Sequence, residues 1–397
     1  MDFQLNADDR EWAESTFAKL KSKLKAECAR LENTIPYIPK NGRYHDLDTS
    51  DGIYWWTNGF WAGTLWQMYY ATGEGAKCKS CDEANGMDNG DDIFRKSAEA
   101  IEKRLDEALE GFEGLYHDVG FMWLHTSLAN YRLTGNADSR RRSLHAANIL
   151  AGRYNPAGKF IRAWNGEGRA GWIIIDTLMN LPLLYWASKE TGDPRFSQIA
   201  QFHADTALDM MARPDGSCNH IAVLSPETGE RLETPAGQGY ASGSSWSRGQ
   251  SWAVYGFALS YRHTGLAKYL DAAKRAAHYV ISNFALNDWL PLVDFRSPPE
   301  PVKYDSTAAM ISAAGLLEIA EHAGEHEKDL YTGAAIKLLR ACEKNFADWN
   351  NGTDGIIGGG TAAWHGKDED SGVPIIYGDY FFTEALLRLL GKSFPIW

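Results

Sequence analysis

Several things are missing from this 397-residue chain, and each absence narrows its class. No apolar stretch reaches the roughly 18 residues that a membrane span requires. The opening residues MDFQLNADDREWAESTF are acidic and polar, without the apolar core of a secretory leader, so the cytoplasm is the expected compartment. Basic charge is in deficit: 40 Lys and Arg against 52 Asp and Glu give a net charge of −12. With no basic stripe to neutralise phosphates, nucleic acid is not an expected partner, nor is a membrane. There are five cysteines, and only Cys78 and Cys81 form a CxxC. Without a second pair that spacing is weak ground for zinc or redox chemistry, so neither a metal nor a cofactor is expected. No GxSxG elbow, phosphate-cradling loop or HExxH helix occurs. No linker or shift in composition divides the chain, so residues 1–397 read as one domain, with an N-terminal helix and polar entry segment over about 1–50.

What is present is punctuation. Six helix-like runs each begin at a polar or aromatic cluster and stop at a glycine: 56–73, 118–135, 176–192, 248–265, 305–324 and 379–391. Four stops read Thr-Gly, in YYATGE, YRLTGN, SKETGD and YRHTGL. A glycine just past the last apolar-periodic residue is the usual left-handed helix cap. The stops fall 57 to 73 residues apart, room for a long-looped helix pair in each repeat. In the run from Asp176, Leu178, Leu181, Leu184 and Tyr185 follow steps of three and four, with apolar residues on most other faces, and Pro182 is expected to kink it. Helices apolar nearly all round are buried. The intervening segments 91–109, 139–154 and 195–212 are charged along one side. An inner ring of buried helices inside an outer amphipathic ring is predicted, an all-α (α/α)6 barrel of six hairpins. Parallel inner helices would open all six polar clusters at one mouth. An open superhelix of hairpins is the alternative.

The chain holds 15 Trp, 18 Tyr and 16 Phe. Most aromatics belong to packing, but Tyr54, Trp55, Trp56, Trp61, Trp164, Trp246 and Trp252 cluster where helices begin. Aromatic faces stack on pyranose C–H faces, which makes carbohydrate the first substrate class to consider.

Asp118, beside His117, and Asp176 stand one repeat apart, at equivalent ends of neighbouring inner helices. Like charges in one desolvated site cannot both ionise easily, so one carboxyl becomes usable as an acid. The structural alternative is that each merely caps its helix, as Asp379 is expected to do. Gln238, Ser244, Trp246, Arg248, Gln250 and Trp252 fall at the mouth of the fourth inner helix, where an arginine opposes the helix dipole and calls for a carboxylate partner. His220 lies off any obvious helix and from pattern alone reads as a structural donor.

The runs TNGFWAGTLW (57–66), YHDVGFM (116–122), FIRAWNG (160–166), IIDTLMNLPLLYWAS (174–188), SSWSRGQSWAVYG (244–256) and GDYFFTEALLR (378–388) resemble glycoside hydrolase family 88, the unsaturated glucuronyl hydrolases, from about residue 50 onward. The resemblance implies the (α/α)6 barrel and hydration of the C4=C5 vinyl ether of an unsaturated uronic acid at the non-reducing end of lyase-made oligosaccharides. By motif match Asp176 is the acid and base and Asp118 its supporting carboxylate. Trp61, His117, Trp164, His220, Gln238, Arg248 and Trp252 match positions around the unsaturated ring. No motif separates a monomer from a homodimer. Relatives accepting sulfated substrates carry two serines and a lysine in the last loop; TAAWHGKDEDSGVP keeps Lys367 but has Ala362 and His365 in place of the serines, so unsulfated substrates are expected. The acidic stretch 77–92 has no counterpart in this resemblance. Family 105 unsaturated rhamnogalacturonyl hydrolases are the nearest alternative, although they read RGNGW where this chain reads RGQSW. Sugar epimerases of this fold would need paired histidines at the mouth, and a non-catalytic sugar-binding barrel would not need both aspartates.

Overall fold

A computed structural model describes residues 3–73 and 92–397. Cys78, Cys81 and nearly all of the acidic stretch 77–92 lie outside the described residues. The outer helices are α1 (Ala7–Leu31), α3 (Ile93–Arg104) with its short extension α4 (Asp106–Gly111), α7 (Ala137–Ala151), α9 (Pro194–Met211), α11 (Ala267–Leu286) and α13 (Glu325–Phe346). The inner ones are α2 (Phe60–Ala71), α5 (Val119–Trp123) continuing through a π turn into α6 (Ala129–Thr134), α8 (Thr177–Thr191), α10 (Ser247–Thr264), α12 (Ser306–His322) and α14 (Ile376–Leu389). Each inner helix touches the next, and α14 closes the ring on α2, so the structure is the (α/α)6 barrel and not the open superhelix. α1 packs on α3 and α14, which makes the N-terminal helix part of the outer ring.

Burial follows the period. In α12 every residue from Ser306 to Ala320 is buried, whereas α11 buries Tyr269, Ala272, Ala273, Ala276, Ala277, Val280 and Phe284 along one stripe. Five of the six closing glycines, at 73, 135, 192, 265 and 391, have the left-handed φ that an L side chain resists. Gly324 departs from this: its φ is −62° and it is the N-cap of α13. α8 runs without a break through Pro182. The run from Asp118 is interrupted by the π turn at Leu124–Leu128, which carries the buried His125. Asp379 is not a cap either; its carboxylate accepts the backbone N–H groups of Ile356 and Ile357, at 3.0 and 2.8 Å, and clamps that loop.

A second set of glycines lets the inner helices approach. A Cβ on Gly120 of α5 would fall 2.5 Å from Asn180 Cα in α8, one on Gly256 of α10 would overlap Leu178 of α8, and one on Gly315 of α12 would meet Tyr255 of α10. Backbone cannot yield as a side chain can. Gly120→Ala should therefore cost about 1–3 kcal/mol by overpacking, read as a lower urea midpoint with an unchanged m-value.

Candidate active site

The N-terminal ends of the inner helices do open at one mouth, and a cavity of about 510 Å³ lies there. Asp118 and Asp176 occupy the N-cap positions of α5 and α8, yet neither side chain makes a capping bond. Both turn into the cavity instead. One carboxylate oxygen from each, with a ring nitrogen of His117, lies within 4.8 Å of the others. Three such donors also suit a divalent cation.

His117 sits between the carboxyls, its Nε2 3.3 Å from Asp118 Oδ2 and 3.9 Å from Asp176 Oδ1. Its Nδ1 is 2.6 Å from the Thr177 hydroxyl. Burial, reinforced by the charge of Arg153, pushes the imidazole pKa well below its usual value, so the ring is neutral. Nδ1 and the Thr177 hydroxyl share a hydrogen bond, and Nε2 faces Asp118. Burial is also the largest cause raising both carboxyls. Asp176 is pushed up to about 7, with its own backbone N–H, the charge of Arg248 and the Thr177 N–H opposing the rise. Asp118 rises through burial and the charge of Asp176, while Arg153 and Asn180 pull it back. Asp176 Oδ1 is buried without a hydrogen-bond partner among the described residues. Burial raises the proton affinity of both carboxyls, and the unpartnered Asp176 Oδ1 faces the cavity side of the pair.

Short strands bring the remaining residues in. β1 (Trp172–Ile174) runs straight into Asp176 and pairs antiparallel with β2 (Ile221–Leu224), Ile174 opposite Ile221. Ile175 N–H donates to His220 C=O at 3.1 Å, so the strand pair delivers His220 beside Asp176. The His220 Nδ1 accepts from Gln238 N–H at 3.1 Å, and its ring packs on Trp246 at 4.2 Å. Burial lowers its pKa to about 3, so it is a neutral donor through Nε2 at any working pH. On the other wall, His117 N–H donates to Ala163 C=O and Ala163 N–H to Trp172 C=O, which sets Trp164 at the rim.

His117, Asp118, Trp164, Asp176, His220, Gln238, Arg248 and Trp252 all line this cavity. Trp61 does not. It follows the short 3-10 turn Trp56–Gly59, lies inside α2 and is 1% exposed in the hydrophobic core; Trp55 and Trp56, at the mouth itself, line the cavity in its place. Arg248 finds the carboxylate partner its position called for within the chain itself. Its guanidinium forms a buried ion pair with Asp305 and donates to Thr307 Oγ1, Thr361 C=O and Ala362 C=O. Its charge is already matched within the chain, and it ties the last loop to the cavity wall. Sequence reasoning passed over Tyr116, Arg169 and Trp172. Arg169 lies over the rings of Trp164 and Trp172 at 5.1 and 5.5 Å and has no carboxylate partner among the described residues. The Trp-x7-Trp spacing of a loop returning on itself was the available signal.

A second trough of about 880 Å³ shares Trp55, Trp56, Gln238 and Arg248 with the first. Its outer lining includes Lys40, Asp48, Lys367, Glu369 and Asp370.

No family model matches the chain. Among known proteins it is 36% identical over 369 residues to the unsaturated glucuronyl hydrolase of Bacillus sp. (strain GL1), covering 91% of this chain and 92% of that protein. It is 33% identical to the unsaturated chondroitin disaccharide hydrolase of Streptococcus pyogenes serotype M1, over 90% of this chain and 86% of that one. The crystal structure of the unsaturated glucuronyl hydrolase from Bacillus sp. GL1 superposes with a TM-score of 0.85 at 32% identity, covering 95% of this chain and 96% of that one. The chain belongs to glycoside hydrolase family 88, the unsaturated glucuronyl hydrolases. It is thus an enzyme of the glycoside hydrolase class, and no helix among the described residues is long and apolar enough to cross a membrane.

The raised proton affinity of Asp176 has a measurable cost to folding. Its folded pKa, about 7, lies above the unfolded carboxyl value, so the native state binds the extra proton and stability falls as pH rises from about 4 to 7. Asp176→Asn removes that penalty. The variant should melt higher than the parent, with the difference growing between pH 4 and 7 and constant above; a difference independent of pH would contradict the assignment.

Proposed function

We propose that this enzyme hydrates the C4=C5 double bond of a 4-deoxy unsaturated uronic acid at the non-reducing end of an oligosaccharide, with Asp176 as acid and then base. The observation that supports it most directly is the buried, unpartnered Asp176 Oδ1 within 4.8 Å of a second carboxyl and a neutral imidazole. Asp176 gives its proton to C4, and the positive charge at C5 is shared with the ring oxygen. Water adds at C5, passing a proton to the Asp176 carboxylate. The product is a C5 hemiketal; its C5–ring-oxygen bond breaks to give a ketone at C5 and a hemiacetal at C1, and the hemiacetal then collapses, releasing the aglycone as an alcohol and leaving a keto uronate with an aldehyde at C1. Asp118, facing His117 Nε2, is the carboxylate that positions ring hydroxyls and steadies the developing charge. Because the glycosidic carbon is not attacked, the rule linking carboxylate separation to retention or inversion does not apply.

The related structures support this substrate class. An Asp-to-Asn variant of UGL in complex with dGlcA-Glc-Rha-Glc superposes with a TM-score of 0.84 at 32% identity, covering 94% of this chain and 95% of that one. Here the unsaturated ring would occupy the inner cavity, with Trp164, Trp252 and His220 around it and Arg169 meeting its carboxylate near the rim. The aglycone would extend into the adjoining trough. Asp176→Asn should lower kcat by at least the roughly 10²–10⁴-fold due to acid–base catalysis, followed by loss of the ultraviolet absorbance of the C4=C5 uronide. Near-parental turnover in that variant would refute the reading.

The trough argues for unsulfated aglycones. Lys367 is exposed and lies 3.4 Å from Glu369, and Asp368 and Asp370 flank the pair. A sulfate there meets matched or repelling charge and lacks hydroxyl donors at Ala362 and His365. Since one charge-assisted hydrogen bond is worth roughly 1.5–3 kcal/mol, kcat/KM should favour an unsulfated disaccharide over its 6-sulfated counterpart by at least about tenfold. Equal values on the matched pair would show that another cation serves the sulfate.

A further inference from the structure

Arg153 stands just past the C-terminal end of α7, outside the cavity, and its guanidinium reaches into two loops at once. Its Nη1 donates to Leu115 C=O at 3.1 Å and Asn165 Oδ1 at 2.9 Å, Nη2 to Ala163 C=O at 2.8 Å, and Nε to Arg162 C=O at 2.8 Å. Asn165 completes the knot by donating to the carbonyls of Leu115 and Glu113 at 3.0 and 2.9 Å. Leu115 is two residues before His117, and Ala163 is both the acceptor of His117 N–H and the neighbour of Trp164. One planar fork therefore sets the separation of the loop carrying His117 and Asp118 from the loop carrying Trp164.

The charge of that fork is unmatched. Among the described residues Arg153 forms no ion pair, although acids outnumber bases in the chain and other part-buried arginines, such as Arg142 and Arg388, are paired. Burial and the neighbouring charge of Arg162 lower its proton affinity and the carboxylate of Asp118 raises it, so Arg153 and Asp118 sense each other.

We propose that Arg153 is a positioning residue for the hydration step: it locks the His117–Asp118 loop against the Trp164 loop and places a positive charge behind Asp118. The role rests on the acid–base reading above, which the Asp176→Asn measurement decides separately. The groups facing Asp118 are Asp176 and Asn180 from α8, His117 and Tyr116 from its own loop, and Arg153 from behind, with Arg248 beyond Asp176. Arg153 is the cation on the Asp118 side.

Two variants separate this role from simple stability. Arg153→Met removes both fork and charge. Measured well below its melting temperature and normalised to folded protein, its kcat should fall about 10²-fold, as for a reacting group displaced by roughly 1 Å, with KM within about threefold. Its pH–rate bell should also move up by about one unit, because losing the cation raises the Asp118 pKa. Arg153→Lys keeps the charge as a point donor that cannot span the carbonyls, so it should leave the bell in place while kcat stays well below the parent. A lower melting temperature with unchanged kcat and pH profile in Arg153→Met would reduce the residue to a structural tie. Should that variant not fold, parental kcat in Arg153→Lys would overturn the proposal on its own.

Discussion

Two carboxyl groups with oxygens within 4.8 Å of each other, one buried and one half-buried in the wall of a cavity, cannot both ionise at neutral pH without cost. The rest of the site is arranged around that constraint. Helix N-termini favour anions, and at the heads of α5 and α8 a capping bond would have stabilised the charged form of each aspartate. Neither makes one, and burial raises the proton affinity of both. Neutral His117 and neutral His220 then add donors without adding charge, because burial keeps both imidazoles deprotonated.

Such a pair works only if its spacing is held to a fraction of an ångström, and the barrel supplies that through backbone contact. Gly120 puts α5 directly on the backbone of α8, and Gly256 lets α10 close on Leu178 of the same helix. At the opposite end of the ring Trp397 fills the axis, stacked on Phe381 and donating to Glu384 at 3.0 Å. Arg388 there bridges Glu318 and Glu321 at 2.7 Å each. The mouth carries the chemistry and the base carries the packing, a division that leaves long loops free to build the cavity walls.

Those walls explain where motif-based expectation and geometry part. Arg248 opposes the helix dipole at the head of α10 and does find a carboxylate, but the carboxylate is Asp305, 57 residues on, at the head of the next inner helix. Asp379 looks like a cap and is a clamp on the loop at 356–357. Trp61 belongs to a motif of the mouth and packs into the core, while Trp55 and Trp56 from the same cluster face the cavity. In each case a residue type was right for its neighbourhood, and the partner came from a distant part of the chain.

Apolar period and glycine stops are local properties, set by 3.6 residues per turn and by the steric freedom of one residue type, so the six inner helices and five of their six glycine stops were legible from residue order alone. So was the pairing of Asp118 with Asp176, because one repeat of spacing puts both at the same level of neighbouring helices. The tertiary structure alone decided which side chains face the cavity, since that depends on strand register and loop closure over long separations. Ile174 opposite Ile221 brings His220 to Asp176, and the fork of Arg153 joins carbonyls at 115 and 163. It also decided the proton affinities, because the dielectric around a carboxyl is a property of everything packed against it and is written in no single stretch of sequence.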